Sequence, residues 1–266
     1  MALPGRSTPA RFARIRLMAA PDASPSVDSA DIARFDAIGE DWWDPAGSMR
    51  ALHRINPLRI AWLRDLIATR LKTSTQEGEP PLTGVSILDI GCGAGLLAEP
   101  LARLGGEVTG LDPAPGNIEV ARQHAEETGA TLAYRAATVE QIAREGASFD
   151  VVLAMEVVEH VRDMPAFVRT ACSLVRPGGL FAASTLNRTL KSFALAIIGA
   201  EYILRWLPQG THRWEQFVTP EELGGAFRSA GLREIARAGV VYDPLHAAWR
   251  VSRDASVNYM IAAKRP

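Results

Sequence analysis

From residue 85 onward the chain alternates between two kinds of apolar spacing. VSILDI (85–90), EVTGLD (107–112), TLAYRAA (131–137) and FDVVLAM (149–155) are short runs rich in aliphatic residues, and each predicts a strand. FDVVLAM is almost wholly apolar, as a strand buried on both faces must be. Between the runs, LLAEPLARLG and NIEVARQHAEETG place apolar residues at helical spacing, the second stopped by Gly129. RPGGLFAAST reads as a turn and a fifth strand. Thr219-Pro220-Glu221-Glu222 is a capping box opening a helix that stops at Gly231, and LREIARAGVVY and SVNYMIAAK supply two last strands. Strands alternating with helices predict an α/β fold. Its sheet is mostly parallel, covered on both sides, with a C-terminal antiparallel hairpin closing one edge.

The pattern before residue 85 is different. DIARFDAIGEDWW starts a short amphipathic helix, and RINPLRIAWLRDLIATRL predicts a longer one with Asn56 as N-cap and Pro57 at the first helical position. Together they make a helical prefix over 31–72, set off by the polar linker TSTQEGEPPLTG. Residues 1–30 read as a disordered or targeting-like arm. Arg6, Arg11, Arg14 and Arg16 precede the first acid, Asp22, a pattern shared by mitochondrial presequences, disordered tails and over-extended starts whose initiator is Met18. Residues 31–266 then form a single domain.

Composition narrows the function classes. With 29 Lys plus Arg against 30 Asp plus Glu there is no basic excess for a nucleic-acid footprint, so no nucleic-acid partner is expected. Two distant cysteines, Cys92 and Cys172, give neither a disulfide framework nor a structural zinc site, and a reducing compartment is the default.

LDIGCGAG lies between the first strand and the following helix, where Gly91, Gly93 and Gly95 let backbone approach a ligand closely. Asp112 ends the second strand, where an acidic residue accepts the ribose hydroxyls of a bound nucleoside. Loop and carboxylate together predict an adenosine-containing cofactor. A dinucleotide loop reads G-x-G-x-x-G, whereas here Leu96 stands at the last glycine position, which disfavours a nicotinamide oxidoreductase.

This G-x-G-x-G loop resembles the first motif of class I S-adenosylmethionine-dependent methyltransferases, and GLD, TVEQ, FDVVLAMEVVEHV and RPGG follow in that superfamily's order. WWDPAGSMRALHRINPLR, VVEHV, STLNRTLKS, GAEYIL, GTHRWEQF and VNYM further resemble the ubiquinone-biosynthesis O-methyltransferase family over roughly residues 31–262. The resemblance implies a class I methyltransferase (Rossmann-like) sheet with a lid insertion after the fifth strand, at 187–218. It implies methylation of ring hydroxyls on a polyprenyl hydroxyphenol intermediate and on demethylubiquinol. It also implies that Arg59, Gly91, Asp112 and Met155 contact S-adenosylmethionine. Arg59 suits the methionine carboxylate and Met155 offers a soft apolar wall. Ala94, where the family often has another glycine, and the proline-rich PAPGN after Asp112 depart from the family text.

AMEVVEHV then places Glu156, Glu159 and His160 right after the fourth strand. If 156–161 begin a helical turn, the three lie at i, i+3 and i+4 on one face. Spacing alone admits a metal site, a general base or a plain polar face. A neutral phenol titrates near 10 and is a poor nucleophile, so His160 as base, supported by Glu156, or a hard divalent cation would each serve catalysis. The resemblance implies a magnesium-type site (Mg2+) at all three positions.

A polyprenylated phenol or quinol lives in the bilayer. SFALAIIGAEYILRWL, with Glu201 and Arg205 inside it, is too short and too charged to span one. Its apolar side (Phe193, Ala196, Ile197, Ala200, Ile203, Leu204, Leu207) suits either a buried lid or peripheral contact with membrane lipid. The expected location is therefore cytoplasmic, peripheral on the inner face of the inner membrane, or the mitochondrial matrix side if the arm is a presequence. A ubiquinone-biosynthesis complex is a further expected partner. Another phenolic acceptor, or a cofactor-binding scaffold without turnover, are the competing functions.

Overall fold

In this computed structural model the described residues are 26–73, 78–193, 214–243, 246 and 248–266. The arm up to residue 25 and the insertion segment 194–213 lie outside them. The prefix comprises α1 (Ser29–Asp36), a 3-10 turn at Gly39–Trp43 and α2 (Arg50–Leu71). The alternating body follows as β1 (Ser86–Ile90), α3 (Ala98–Arg103), β2 (Glu107–Asp112), α4 (Pro115–Thr128), β3 (Ala133–Ala136), α5 (Val139–Arg144) and β4 (Phe149–Met155). It continues through α6 (Met164–Ser173), β5 (Val175–Leu186), the short turn α7 (Leu190–Ser192), α8 (Pro220–Ser229), β6 (Arg233–Asp243), β7 (Ala248–Ser252) and β8 (Asn258–Lys264).

The sheet order is β3-β2-β1-β4-β5-β8-β6-β7. β1 to β5 pair in parallel, β8 runs antiparallel to both β5 and β6, and β7 is antiparallel to β6. The nearly continuous apolar strands are explained by a two-sided core. Ile87, Val151, Leu153, Leu180, Ala182, Met260 and Ala262 face Leu63 and Ile67 of α2, Leu101 of α3 and Ile118 of α4. Their neighbours Leu88, Val152, Ala154, Phe181, Ala183, Tyr259 and Ile261 face Ile142 of α5, Phe167 and Val168 of α6 and Phe227 of α8. Strand period two divides each run between the two layers.

Three sequence expectations change. The helix α2 begins at Arg50, and Pro57 lies inside it, so Asn56 is not its N-cap. The apolar spacing of Leu52 and Ile55 carries the helix back toward the core, and this outweighs the N–H that Pro57 lacks. The two predicted last strands pair with each other, but the sheet edge is an unpredicted third strand, β7, whose half-exposed positions leave no clear alternation. The polar stretch after β3 is itself a helix, α5, with Thr138 and Gln141 closing a capping box. The capping box of α8 is formed as expected, with Thr219 and Glu222 reciprocally bonded.

Candidate active site

β2 and β3 lie to one side of β1, and β4 to the other. The chain reverses its winding there, and ligands in open α/β sheets bind at such a point beyond the carboxyl ends of the strands. A cavity of about 950 Å³ occupies that position, roofed by the prefix. Arg59, Gly91, Asp112, Met155, Glu156, Glu159 and His160 all line it, so residues spread over a hundred positions of sequence converge on one space.

The glycine loop is shaped by protein neighbours as well as by access. Gly91 has φ +70°, and a Cβ there would meet Val157 at 2.6 Å. At Gly93, φ +53°, a Cβ would fall 2.5 Å from the indole of Trp42. Asp112 sits under this loop. Its Oδ2 accepts from Gly93 N at 3.0 Å, and its Oδ1 accepts from Ala114 N at 2.9 Å and Asn117 Nδ2 at 3.2 Å. Burial raises its pKa, and the three donors oppose that rise.

Arg59 on α2 is 2% exposed, and its guanidinium pairs with Glu156, whose Oε1 also accepts from Ser184 Oγ at 2.8 Å. The Arg59 Nε remains buried without a hydrogen-bond partner. Asp89 near the end of β1 also lines the cavity and is equally buried, and its Oδ2 also has no partner. Burial, with the charge of Asp112 nearby, pushes the Asp89 carboxyl up to about 7. An unmet guanidinium N–H and an unmet carboxylate oxygen in one cavity fit a ligand that carries both a carboxylate and an ammonium group. Asp89 was missed in sequence, although an acid ending the strand before a glycine loop was the available signal.

Glu156, Glu159 and His160 do not share a helical face. Glu156 adopts φ +60°, a left-handed conformation unusual for a residue with a side chain, and only Val158–His160 form a turn. The chain swivels at Glu156, and the three side chains go to different partners. Glu156 goes to Arg59 and Ser184. Glu159 is 4% exposed with Oε2 unpartnered, its pKa raised by burial and by the charge of Glu156, against the opposing influence of His160. His160 faces Asp31 of α1, Nδ1 to Oδ2 at 3.6 Å, with the Phe35 ring edge-on at 5.2 Å. Burial lowers the His160 pKa, but Asp31 and Glu159 outweigh it, and the net shift is upward. The implied magnesium set is therefore not gathered. Two of its three donors are engaged elsewhere, and among the described residues no three His, Cys, Asp or Glu side chains group as metal ligands.

Asp31 and Trp42 were also missed, because the prefix reaches the site only through tertiary packing. Val27 bridges to Val161, and Arg162 N donates to Ser26 O at 2.8 Å, which fixes α1 against the end of β4. The Trp43 indole donates to Ala94 O at 3.1 Å and stacks on His124 of α4, holding the prefix to the glycine loop.

A family model described as a methyltransferase domain matches residues 53–236. The ubiquinone biosynthesis O-methyltransferase of Methylobacterium nodulans is 61% identical over 242 residues, 91% of this chain and 97% of that protein. The protein of the same name from Methylobacterium sp. strain 4-46 is 59% identical over 94% of this chain and 99% of its own length. That of Brucella ovis is 50% identical over 92% and 98%. Among solved structures, the magnesium protoporphyrin IX methyltransferase of Synechocystis PCC 6803 with bound SAH superposes with a TM-score of 0.59 at 20% identity, covering 90% of this chain and 95% of that one. A SAM dependent methyltransferase from Aquifex aeolicus gives 0.56 at 13% identity, over 90% and 99%. At those identities the two structures speak for the fold: a class I methyltransferase sheet.

Proposed function

The chain belongs to the ubiquinone biosynthesis O-methyltransferase family, and on that footing we propose that it transfers a methyl group from S-adenosylmethionine to ring hydroxyls of a polyprenyl hydroxyphenol intermediate and of demethylubiquinol. The observation that carries this reading is the single cavity. It holds the unmet groups of Arg59 and Asp89 together with His160 and its carboxylate partner.

S-adenosylmethionine, when bound, supplies an electrophilic methyl group on a sulfonium centre. In this scheme Arg59 holds its carboxylate, Asp89 its ammonium and Asp112 its ribose hydroxyls, and Met155 at the end of β4 walls the reacting end with a polarizable side chain. The acceptor phenol must lose its proton as its oxygen attacks, and His160 takes that proton at the ring nitrogen turned away from Asp31. Asp31 then stabilises the imidazolium, as a carboxylate does behind a catalytic histidine. The covering prefix excludes water, so the methyl group is not lost to hydrolysis. The magnesium ion implied by family resemblance does not fit the donors as they are disposed.

We propose further that the protein approaches its lipid-tailed substrate as a peripheral partner of the cytoplasmic face of the inner membrane, within a ubiquinone-biosynthesis complex. No described helix is long and apolar enough to cross a membrane. Leu190, 81% exposed, and Phe193, 40% exposed, stand at the foot of the insertion and support contact with lipid.

The test is methyl transfer from S-adenosylmethionine to a short-chain demethylubiquinol. Turnover is expected, and none on either prenylated ring would overturn the substrate assignment. Run after EDTA treatment and again with Mg2+ restored, the same assay also decides how the acceptor is activated. Recovery on Mg2+ would overturn His160 as the sole activator of the phenol, and indifference leaves the proton to His160.

A further inference from the structure

The 3-10 turn Gly39–Trp43 lies outside the stretch matched as a methyltransferase domain, yet it reaches into the cofactor side of the cavity. Trp42 is 6% exposed, and the outer atoms of its indole lie close to Gly93. Its carbonyl is held by His53 Nε2 at 2.8 Å, which ties the turn to α2. Its indole Nε1 donates to Asn117 Oδ1 at 2.9 Å, and Asn117 Nδ2 in turn donates to Asp112 Oδ1 at 3.2 Å. Asn117 is 1% exposed, so water does not compete for either bond.

The chemistry of the three groups leaves one arrangement. An indole N–H only donates, and an ionised carboxylate only accepts. The carboxamide between them must point its oxygen at Trp42 and its nitrogen at Asp112. Without the indole, the buried Asn117 oxygen loses its donor, and the amide that donates to Asp112 is held from one end only. From this geometry we infer that Trp42 is a positioning residue for the methyl donor, acting through Asn117 to set the orientation of the carboxylate that receives the ribose. The inference rests on the proposed assignment of Asp112 to that ribose. It gives the prefix a second role beyond covering the acceptor: the cofactor site is incomplete without it.

Titration calorimetry with S-adenosylhomocysteine on the full chain tests this. Trp42→Phe removes the donor and also withdraws the outer ring atoms that lie against Gly93. It is expected to raise Kd about five- to tenfold, the size of one buried hydrogen bond, while kcat at saturating S-adenosylmethionine and KM for the acceptor stay within about twofold. Asn117→Ala, which leaves the Trp42 packing in place, approaches the relay from its other end and is expected to give a similar rise. The double variant is expected to bind no more weakly than Asn117→Ala alone, because the indole acts only through the amide. Unchanged Kd in Trp42→Phe overturns the inference. So does a double variant whose loss equals the product of the two single losses, since Trp42 would then act by packing. A purely structural role lowers the melting temperature and the number of binding sites while leaving the Kd of the folded fraction alone. Failure of the wild-type protein to bind S-adenosylhomocysteine would sink the methyltransferase reading itself, a result separate from these.

Discussion

Arg59 on the prefix helix and Glu156 just past the fourth strand form a nearly buried ion pair at the cavity wall, and Ser184 secures the carboxylate from the neighbouring strand. The guanidinium proposed to hold the cofactor's carboxylate is thus engaged by a carboxylate of the protein itself. The two anions draw on one cation.

Removing the protein's share of that charge favours the ligand. Glu156→Gln is expected to tighten S-adenosylhomocysteine binding about two- to fivefold by calorimetry. Arg59→Ala leaves Glu156 uncompensated. It should weaken binding more than tenfold and destabilise the fold by about 2 kcal/mol, below the loss seen for fully buried pairs because the Glu156 side chain is 20% exposed. If Glu156→Gln binds the ligand less tightly, the competition described here is absent.

The His160–Asp31 contact sets a pH dependence. The imidazole pKa is raised above its usual 6.5, so the basic form needed for proton removal appears only at higher pH, and the acidic limb of kcat should lie above that value. Asp31→Asn removes a cause of the rise. The limb should move to lower pH while kcat falls about tenfold, as the ring loses its orienting partner. The same shift affects stability. A histidine with a raised folded-state pKa stabilises fully below the unfolded value and loses that contribution as pH rises through the folded one. An unmoved limb in Asp31→Asn would remove His160 from the role of base.

Asp89 couples stability and affinity in opposite directions. Its carboxyl, raised to about 7 by burial and by Asp112, binds a proton more tightly folded than unfolded, so the folded state loses stability as pH rises from the unfolded carboxylate range through 7. Asp89→Asn removes the charge. The melting temperature should rise by a few degrees at pH 8, with no difference from wild type below about pH 4. Cofactor affinity should fall at least tenfold, because the ammonium loses its anion. A variant that gains stability and keeps affinity would leave Asp89 without a ligand.

Leu190 tests the membrane reading. It is 81% exposed and lies close in sequence to Phe193, 40% exposed, at the start of the insertion. Leu190→Asp should lower sedimentation with anionic liposomes several-fold, by the loss of apolar contact and the added repulsion, while turnover on a short-chain acceptor persists. Unchanged sedimentation argues against lipid contact at this turn.

The parts of the site that the sequence disclosed are those whose signal is local. Gly91 and Asp112 each stand at the end of an apolar run, and the position of a strand end follows from the run itself. Asp31, Trp42 and Asn117 carry no such mark. Asp31 meets His160 and Trp42 meets Asn117 only through the tertiary packing of the prefix on the body. The expectation that Glu156, Glu159 and His160 share one face assumed a regular turn. A single positive φ at Glu156 broke it, and nothing in the residue type announces that angle. At the sheet edge, β7 was invisible because an edge strand lacks the two-sided burial that made FDVVLAM readable.

The bridge between Val27 and Val161 bears on how such enzymes diversify. The sheet has a two-sided core that includes α2, whereas the stretch around Asp31, Phe35 and Trp42 is attached by one backbone bridge, a few hydrogen bonds and a small apolar cluster on Ala94, Leu96 and Val120. That stretch is a replaceable cover on a common engine. Exchanging it would alter which ring is accepted and how firmly the donor is held, with the sheet beneath left as it is.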